Sequence, residues 1–262
     1  MKTVLAALAG SPADAPVLGA ARSLGEMLAA DVAAIHVEVK GADVRDLGDV
    51  PLRRVSGDVV EELAGAGLGE EVVALVLGAR RLPADPRPLG ATAEAVATRV
   101  AKPVLIVPPE TQPTSIRRVL VPLEGTLESS HAPRHLFELA GDVAFEVVAL
   151  HVLGTEAIPA FTDQPQHERP AWEREFLARY CPSGIGDVRL ETRVGSAENI
   201  VPLVAEECGC DLIAMGWAQE LAPGRAPVVR SALLQSGRPV LLVPVGAAAR
   251  VPAGLGAGTA AG

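Results

Sequence analysis

The sequence predicts an α/β protein of two tandem domains, each a doubly wound, five-stranded parallel sheet of Rossmann-like type. Three observations predict this class. The same apolar blocks occur twice in the same order, short apolar blocks alternate with helical patterns, and turns containing Gly or Pro separate them. Continuous apolar strands that alternate with helices form a parallel sheet covered on both faces.

The duplication is visible in four pairs of matching blocks. They are residues 4–11 and 119–126, 35–37 and 150–152, 77–78 and 215–216, and 102–108 and 238–244. Chance composition would not repeat four apolar blocks in one order, so the chain is a tandem duplication. Function should be sought where both copies carry the same loop.

The elements of the first copy begin with a strand at residues 4–8, which is too short for a buried helix. Apolar residues at three- and four-residue steps then predict a helix over residues 15–30. The remaining predicted elements are strands at 32–39, about 53–57, 72–77 and 104–107, and helices at 59–66 and 92–100. The second copy repeats this plan.

Composition shifts predict the domain boundaries: a first domain at 1–109, a linker at 110–115 and a second domain at 116–245. Matching blocks lie about 23 residues further apart in the second copy, which places an insertion at about 154–186. We predict a helix over residues 168–180 of this insertion, lying across the sheet edge or against the partner domain. The Gly- and Ala-rich tail at 246–262 is predicted to be disordered.

The overall composition restricts the class of protein. Hydrophobic residues make up 49% and charged residues 21% of the 262, as in globular proteins. No apolar run approaches the roughly 18 residues of a membrane span, so we expect a cytoplasmic protein without membrane insertion. A net charge of −9 without a basic stripe disfavours nucleic-acid binding. Three cysteines, an odd number without an export signal, predict reduced thiols.

The blocks together resemble the universal stress protein family in its tandem, two-domain form. The second copy resembles it in VLVPLEGT (119–126), LHV (150–152), VGSAENI (194–200) and DLIAMG (211–216), and the first in GATAEAV (90–96) and KPVLIV (102–107). The resemblance implies a nucleotide site, in members that bind ATP, at the carboxyl ends of the first and fourth strands. An open parallel sheet leaves a crevice at that switch point.

In ATP-binding members of the family, a glycine-rich loop after the fourth strand holds the triphosphate, and an acidic residue after the first strand helps to hold the nucleoside. The loop has the pattern Gly-x-x-Gly, nine residues, then Gly-Ser or Gly-Thr at the start of a helix. Glycines let backbone N–H groups turn toward the anion, and the helix N-terminus adds partial positive charge.

The first copy matches the phosphate loop in part. Gly78 stands at the first glycine and Gly90 at the closing one, with the hydroxyl displaced to Thr92. Arg81 replaces the second glycine, and the loop is one residue short. Arg80 and Arg81 can still hold a phosphate by charge, so a partial anion site is expected.

The second copy has lost the phosphate loop. Gly216 is kept, but Trp217 adds bulk beside it and Gln219 replaces the second glycine. The closing pair becomes Ala226-Pro227, and proline has no N–H to offer a phosphate.

The turn after the first strand follows the opposite pattern. The second copy keeps the acidic residue as Glu124, whereas the first copy has Ala9 there. The turn consists of Gly10-Ser11 in the first copy and of Gly125-Thr126 in the second. These residues are expected to face a bound nucleotide.

Two further pairs of residues leave alternatives open. His36 and His151 end the second strand of each copy, where they either contact a ligand or supply the polar residue that the strand exit needs. Cys208 and Cys210 suggest a redox or metal site, against the alternative that small buried cysteines fill a helix-to-strand turn.

We therefore expect a non-catalytic stress-response or regulatory module with degenerate nucleotide sites. No nucleophile or metal site is recognisable, and no cofactor is expected, although ATP or AMP is conceivable in the first copy. One alternative is an ATP-binding universal stress protein with weak hydrolysis or nucleotide sensing; another is a cytosolic regulatory partner of a transporter. The resemblance also implies that the two domains pair through their fifth strands, residues 104–107 and 240–243, as family dimers do, and Leu105 and Leu241 are equivalent positions in those strands.

Overall fold

The computed structural model describes residues 1–39, 41–44, 47–79, 88–112, 115–124, 134, 136, 138, 145–154, 168–181, 188–222 and 224–245. The ten strands formed by these residues are β1 (Thr3–Leu8), β2 (Asp31–Val37), β3 (Leu52–Val55), β4 (Val72–Gly78), β5 (Val104–Val107), β6 (Arg118–Pro122), β7 (Glu146–Leu153), β8 (Val188–Val194), β9 (Leu212–Trp217) and β10 (Val240–Pro244). The helices are α1 (Asp14–Leu28), α2 (Val59–Gly67), α3 (Ala91–Ala97), α4 (Glu168–Tyr180), α5 (Ala197–Glu207) and α6 (Pro227–Gln235).

All ten strands form one sheet in the order β3-β2-β1-β4-β5-β10-β9-β6-β7-β8. Within each half the neighbouring strands are parallel, and the halves carry mirrored versions of one order. This is the doubly wound arrangement that the alternation of apolar strands and helices predicts.

The two halves meet at β5 and β10, which pair antiparallel with Leu241 opposite Leu105. Both leucines are fully buried. The expected pairing of the fifth strands is therefore present, and it makes the ten strands continuous across both halves.

The sheet is covered on both faces because side chains alternate along each strand. One buried cluster combines Val4 and Leu105 with α1 residues such as Leu24. The other combines alternate residues of the same strands with apolar faces of α2, α3, α5 and α6. Each cluster includes strand residues from both halves.

Helix α4 occupies the predicted bounds and contacts β7, the strand beside the edge strand β8. Its ring contacts are with His151 of β7, in its own half, at 4.8 Å from Phe176 and 5.9 Å from Trp172 between ring centroids. Phe176 is buried in the cluster that contains the β7 residue Ala149. The helix therefore covers a face of its own half of the sheet.

Helix α3 ends at Ala97, three residues before the predicted end. The Thr98 hydroxyl donates to the carbonyl of Glu94 at 2.9 Å, a back-bond that competes with helix continuation. No helix within the described residues is long and apolar enough to cross a membrane. The predicted tail at 246–262 lies outside the described residues.

Candidate functional site: the two crevices

Each half has a crevice where its strand order reverses, beside β1 and β4 in the first half and beside β6 and β9 in the second. Since β5 and β10 run antiparallel, the strands of the two halves point in opposite directions. Their carboxyl ends therefore lie at opposite ends of the sheet along the strand direction. The crevices of one chain therefore open in opposite directions.

The turn after β1 is filled by a side chain of the protein itself. The carboxylate of Asp14, in the first turn of α1, accepts hydrogen bonds from the backbone N–H groups of Ala9 (2.9 Å), Gly10 (2.8 Å) and Ser11 (3.2 Å). These are the donors that the turn would offer to a ligand. A negative charge thus occupies the place of a bound anion.

Gly10 has a backbone reason to be glycine. Its φ of 73° lies in the left-handed region. A Cβ added there would lie 2.8 Å from the backbone N of Asp43 and 3.0 Å from the Cβ of Ala42. The turn is therefore covered by the chain after β2, and Gly10 serves a close backbone approach.

In the first-half loop, the structure places both expected glycines, whereas Arg80 and Arg81 lie outside the described residues. Gly78 ends β4 opposite Val107, and an added Cβ would lie 3.1 Å from Cγ2 of Val17 in α1. Gly78 thus lets α1 pack closely against the strand.

Gly90 precedes α3 with a φ of 79°, which favours glycine, and Thr92 is exposed in the first turn of that helix. Glu94 lies in the same turn, and its Oε2 is buried without a hydrogen-bond partner within the described part of the chain. Helix α3 has only seven residues. A carboxylate at this helix start disfavours a second anion there.

In the second half, Glu124 follows β6 and is exposed, while Gly125 and Thr126 lie outside the described residues. The loop after β9 is well described. Gly216 lies within β9, opposite Val243 of β10, and is not part of the loop. Trp217 beside it is buried, at 2% exposure, and its indole N–H has no partner within the described residues.

Gln219 has a role that the sequence did not reveal. Its φ of 58° lies in the left-handed region, which glycine adopts readily, and the family pattern has a glycine at this position. Its side-chain amide crosses to the first half and donates to the carbonyls of Val100 (2.9 Å) and Thr98 (3.3 Å), just after α3. The only signal in the sequence was a polar residue at a glycine position.

The rest of this loop folds onto its own half. Leu221 is buried, at 3% exposure, and its carbonyl accepts a hydrogen bond from the Arg230 guanidinium at 2.7 Å. Ala226 precedes α6 with a φ of 43°, and Pro227 opens the helix without an N–H group. The described part of this loop therefore buries Leu221 and ties its carbonyl to α6, and it begins the helix with a proline where the family has its phosphate cradle.

The two strand-exit histidines have the same hydrogen bond in both halves. Nδ1 of His36 lies 2.9 Å from the carbonyl of Leu8, and Nδ1 of His151 lies 2.9 Å from that of Leu123. A carbonyl only accepts, so Nδ1 carries the proton in each ring. Each imidazole thus ties the second strand to the exit of the first, which favours the interpretation as a strand-exit residue.

The cysteine pair lies at the turn between α5 and β9. Cys208 follows α5, and its carbonyl accepts a hydrogen bond from the Arg118 guanidinium. Burial raises the pKa of the Cys210 thiol to about 12. A thiol that stays protonated is a poor nucleophile and metal ligand, and no group of three or more His, Cys, Asp or Glu within the described residues is arranged to hold a metal ion.

Comparison with known proteins agrees with this fold. Residues 115–244 match the model of the universal stress protein family. A universal stress protein from Archaeoglobus fulgidus is 16% identical, covers 93% of this chain and 98% of its own, and has a TM-score of 0.63. A protein of unknown function from Pseudomonas aeruginosa is 15% identical, covers 94% of this chain and 93% of its own, and has a TM-score of 0.63.

At these identities the solved structures establish the fold, whereas the family match rests on the sequence of the second half. A comparison with curated proteins finds no significant match. The chain therefore belongs to the universal stress protein family, with two such domains in tandem.

Proposed function

We propose that this protein is a non-catalytic stress-response or regulatory module whose two nucleotide crevices are degenerate, and that it acts through its surfaces. The observation that supports the proposal is that the chain itself uses the polar positions of both crevices. Asp14 accepts hydrogen bonds from the backbone donors of the first turn, and the Gln219 amide, at the place of the family's second glycine, donates to a carbonyl of the first half.

The first crevice is unfavourable to a nucleotide because its turn after β1, the nucleoside side of the family's site, has Ala9 in place of the acidic residue, and its backbone N–H groups already donate to Asp14. The charge of Asp14 adds repulsion toward the phosphates of a nucleotide in this crevice. Arg80 and Arg81 are the cations that would oppose this repulsion, which makes them the residues to test.

The second crevice is unfavourable for a different reason. Gln219 donates to carbonyls of the first half, and Pro227 has no N–H. Opening this loop for a phosphate would break the contact with α3 and expose Leu221, so binding there would cost buried apolar area and hydrogen bonds.

Calorimetric titration with ATP and with AMP, each with and without magnesium, tests the proposal. We expect no saturable heat at millimolar nucleotide with the native chain or with Arg81→Ala. Saturable heat would overturn the proposal, and its loss in Arg81→Ala would identify the first half as a nucleotide sensor. Arg117→Ala, which removes an exposed arginine just before β6 and outside both crevice loops, is the matched control.

A further inference from the structure

A cleft of about 230 Å³ lies between the two halves, beside the linker and the start of β10. Its described lining contains none of the crevice residues discussed above. The floor is apolar and includes Leu105 and Ile116, while Thr111 and Arg238 contribute polar groups. Both halves and the linker thus form one small cavity.

Arg238 makes different contacts from the equivalent cation of the first half. That equivalent is Lys102, since each residue precedes a proline and the fifth strand of its half. The Lys102 ammonium donates to the carbonyls of Gly69 and Val72, which ties the turn between α2 and β4. In the first half, this cation is committed to the scaffold.

In the second half another residue ties the corresponding turn. Arg118 at the start of β6 donates to the carbonyl of Cys208 and pairs with Glu146 at 2.6 Å. Within the described residues, Arg238 is bonded only through its backbone, to the hydroxyl of Ser236. Arg238 is one of the residues that line the cleft.

The linker supplies an unused hydroxyl to the same cavity. Thr111 lines the cleft, and its Oγ1 is buried without a hydrogen-bond partner in the described part of the chain. A buried hydroxyl without a partner costs free energy, which a ligand acceptor would recover. Thr111 and Arg238 together suit a carboxylate.

Two carboxylates also line the cleft, and they argue against a plain anion. Asp211 accepts hydrogen bonds from the backbone N–H groups of Arg117 and Arg118, both at 2.9 Å, so its charge is partly compensated. Glu110 is exposed and has no partner among the described residues. It is placed to attract a cationic group on a ligand.

We propose that this cleft binds a small zwitterion of the α-amino-acid class. The ligand carboxylate lies against Arg238 and Thr111, the ammonium group faces Glu110, and an apolar side chain covers Leu105 and Ile116. The proposal is independent of the state of the two crevices, and it gives a regulatory module a ligand that is not a nucleotide.

Thermal unfolding of the full chain with each of the twenty standard L-amino acids in turn tests this site. A binding amino acid at about five times its Kd should raise Tm by about 2–4 °C. Calorimetry with that amino acid should then show affinity at least tenfold weaker in Arg238→Ala and several-fold weaker in Thr111→Val. Arg225→Ala should bind as the native chain does.

Two analogues of leucine test the class of ligand. 4-Methylpentanoate lacks the ammonium group and isoamylamine lacks the carboxylate, so both should bind far more weakly than leucine if leucine is bound. Equal binding of either analogue overturns the zwitterion assignment. The absence of a shift with all twenty amino acids, or unchanged affinity in Arg238→Ala, overturns the site. If Arg238→Ala does not fold, Thr111→Val and Glu110→Gln decide the outcome.

Discussion

The two halves of the chain differ in how they use the crevice that their shared strand order creates. In the first half a side chain fills the turn after the first strand, where Asp14 takes three backbone donors. In the second half the loop after the fourth strand is closed by Gln219, Leu221 and Pro227. Two domains of the same fold thus use different parts of the equivalent crevice, the turn after the first strand in one half and the loop after the fourth strand in the other.

The difference teaches that strand order and site chemistry depend on separate residues. Strand order follows from buried apolar side chains, which both halves keep. The crevice depends on a few loop positions that contribute little to the core, so they can change independently in each half.

The largest expected effect comes from breaking the junction that makes the two halves comparable. Leu105→Asp or Leu241→Asp places an unpaired carboxylate in a fully buried pair, and should lower the free energy of unfolding by about 3–5 kcal/mol. Urea or thermal unfolding measures this. Leu203→Asp, at a leucine that is 47% exposed, is the control, and unchanged unfolding of the junction variants would contradict the pairing.

A second contrast concerns alkaline pH, because all three cysteines lie in the second half. Burial raises the pKa of the Cys210 thiol from 9.0 to about 12. As pH rises, the thiol ionises in the unfolded chain before it ionises in the folded chain. The stabilisation due to the buried, protonated thiol is therefore complete below pH 9, and above pH 9 the free energy of unfolding falls by about 1.4 kcal/mol for each pH unit.

Urea unfolding between pH 8 and 10.5 under reducing conditions measures that slope. Cys210→Ala should reduce the slope by about 1.4 kcal/mol per pH unit and leave the part due to Cys181, whose thiol pKa burial raises to about 11. The variant starts from lower stability because a buried side chain is truncated. Val204→Ala, which truncates a buried side chain of α5 that does not ionise, should lower stability without changing the slope. An equal slope in the native chain and Cys210→Ala would count against the buried, protonated thiol.

The contact that fills the first crevice can be removed directly. Asp14→Ala frees three backbone N–H groups and should cost about 1–2 kcal/mol. Inorganic sulfate should recover part of this loss in Asp14→Ala and have less effect on the native chain, since an anion can enter the vacated turn. Equal sulfate stabilisation of both proteins would refute the view that Asp14 occupies an anion site.

The smallest expected effect separates two contributions of Gln219. Gln219→Ala removes the bonds to Val100 and Thr98 but keeps the left-handed backbone, and should cost about 1 kcal/mol. Gln219→Gly also removes the bonds but relieves the backbone strain, so it should be the more stable variant. Thermal unfolding ranks the two, and the reverse order would show that the backbone there is unstrained.

Sequence patterns predicted the fold because periodicity and duplication report on buried strands and helices. The pairing of the fifth strands was expected from the resemblance to family dimers, whereas the register that puts Leu105 opposite Leu241 is a finding of the structure. The role of Asp14 did not follow, because a first-turn carboxylate normally indicates only a helix start. The bond from Gln219 to Val100 joins residues 119 positions apart, and no local pattern encodes it.

The antiparallel junction of β5 and β10 has a consequence for stoichiometry. Since the two crevice edges face away from each other, a partner bound at one edge does not obstruct the other. Under the proposed function, two partners can therefore approach one chain without competing, whereas a ligand shared between equivalent crevices requires a second chain. Linked binding events of this kind gain strength from effective concentration without any additional contact.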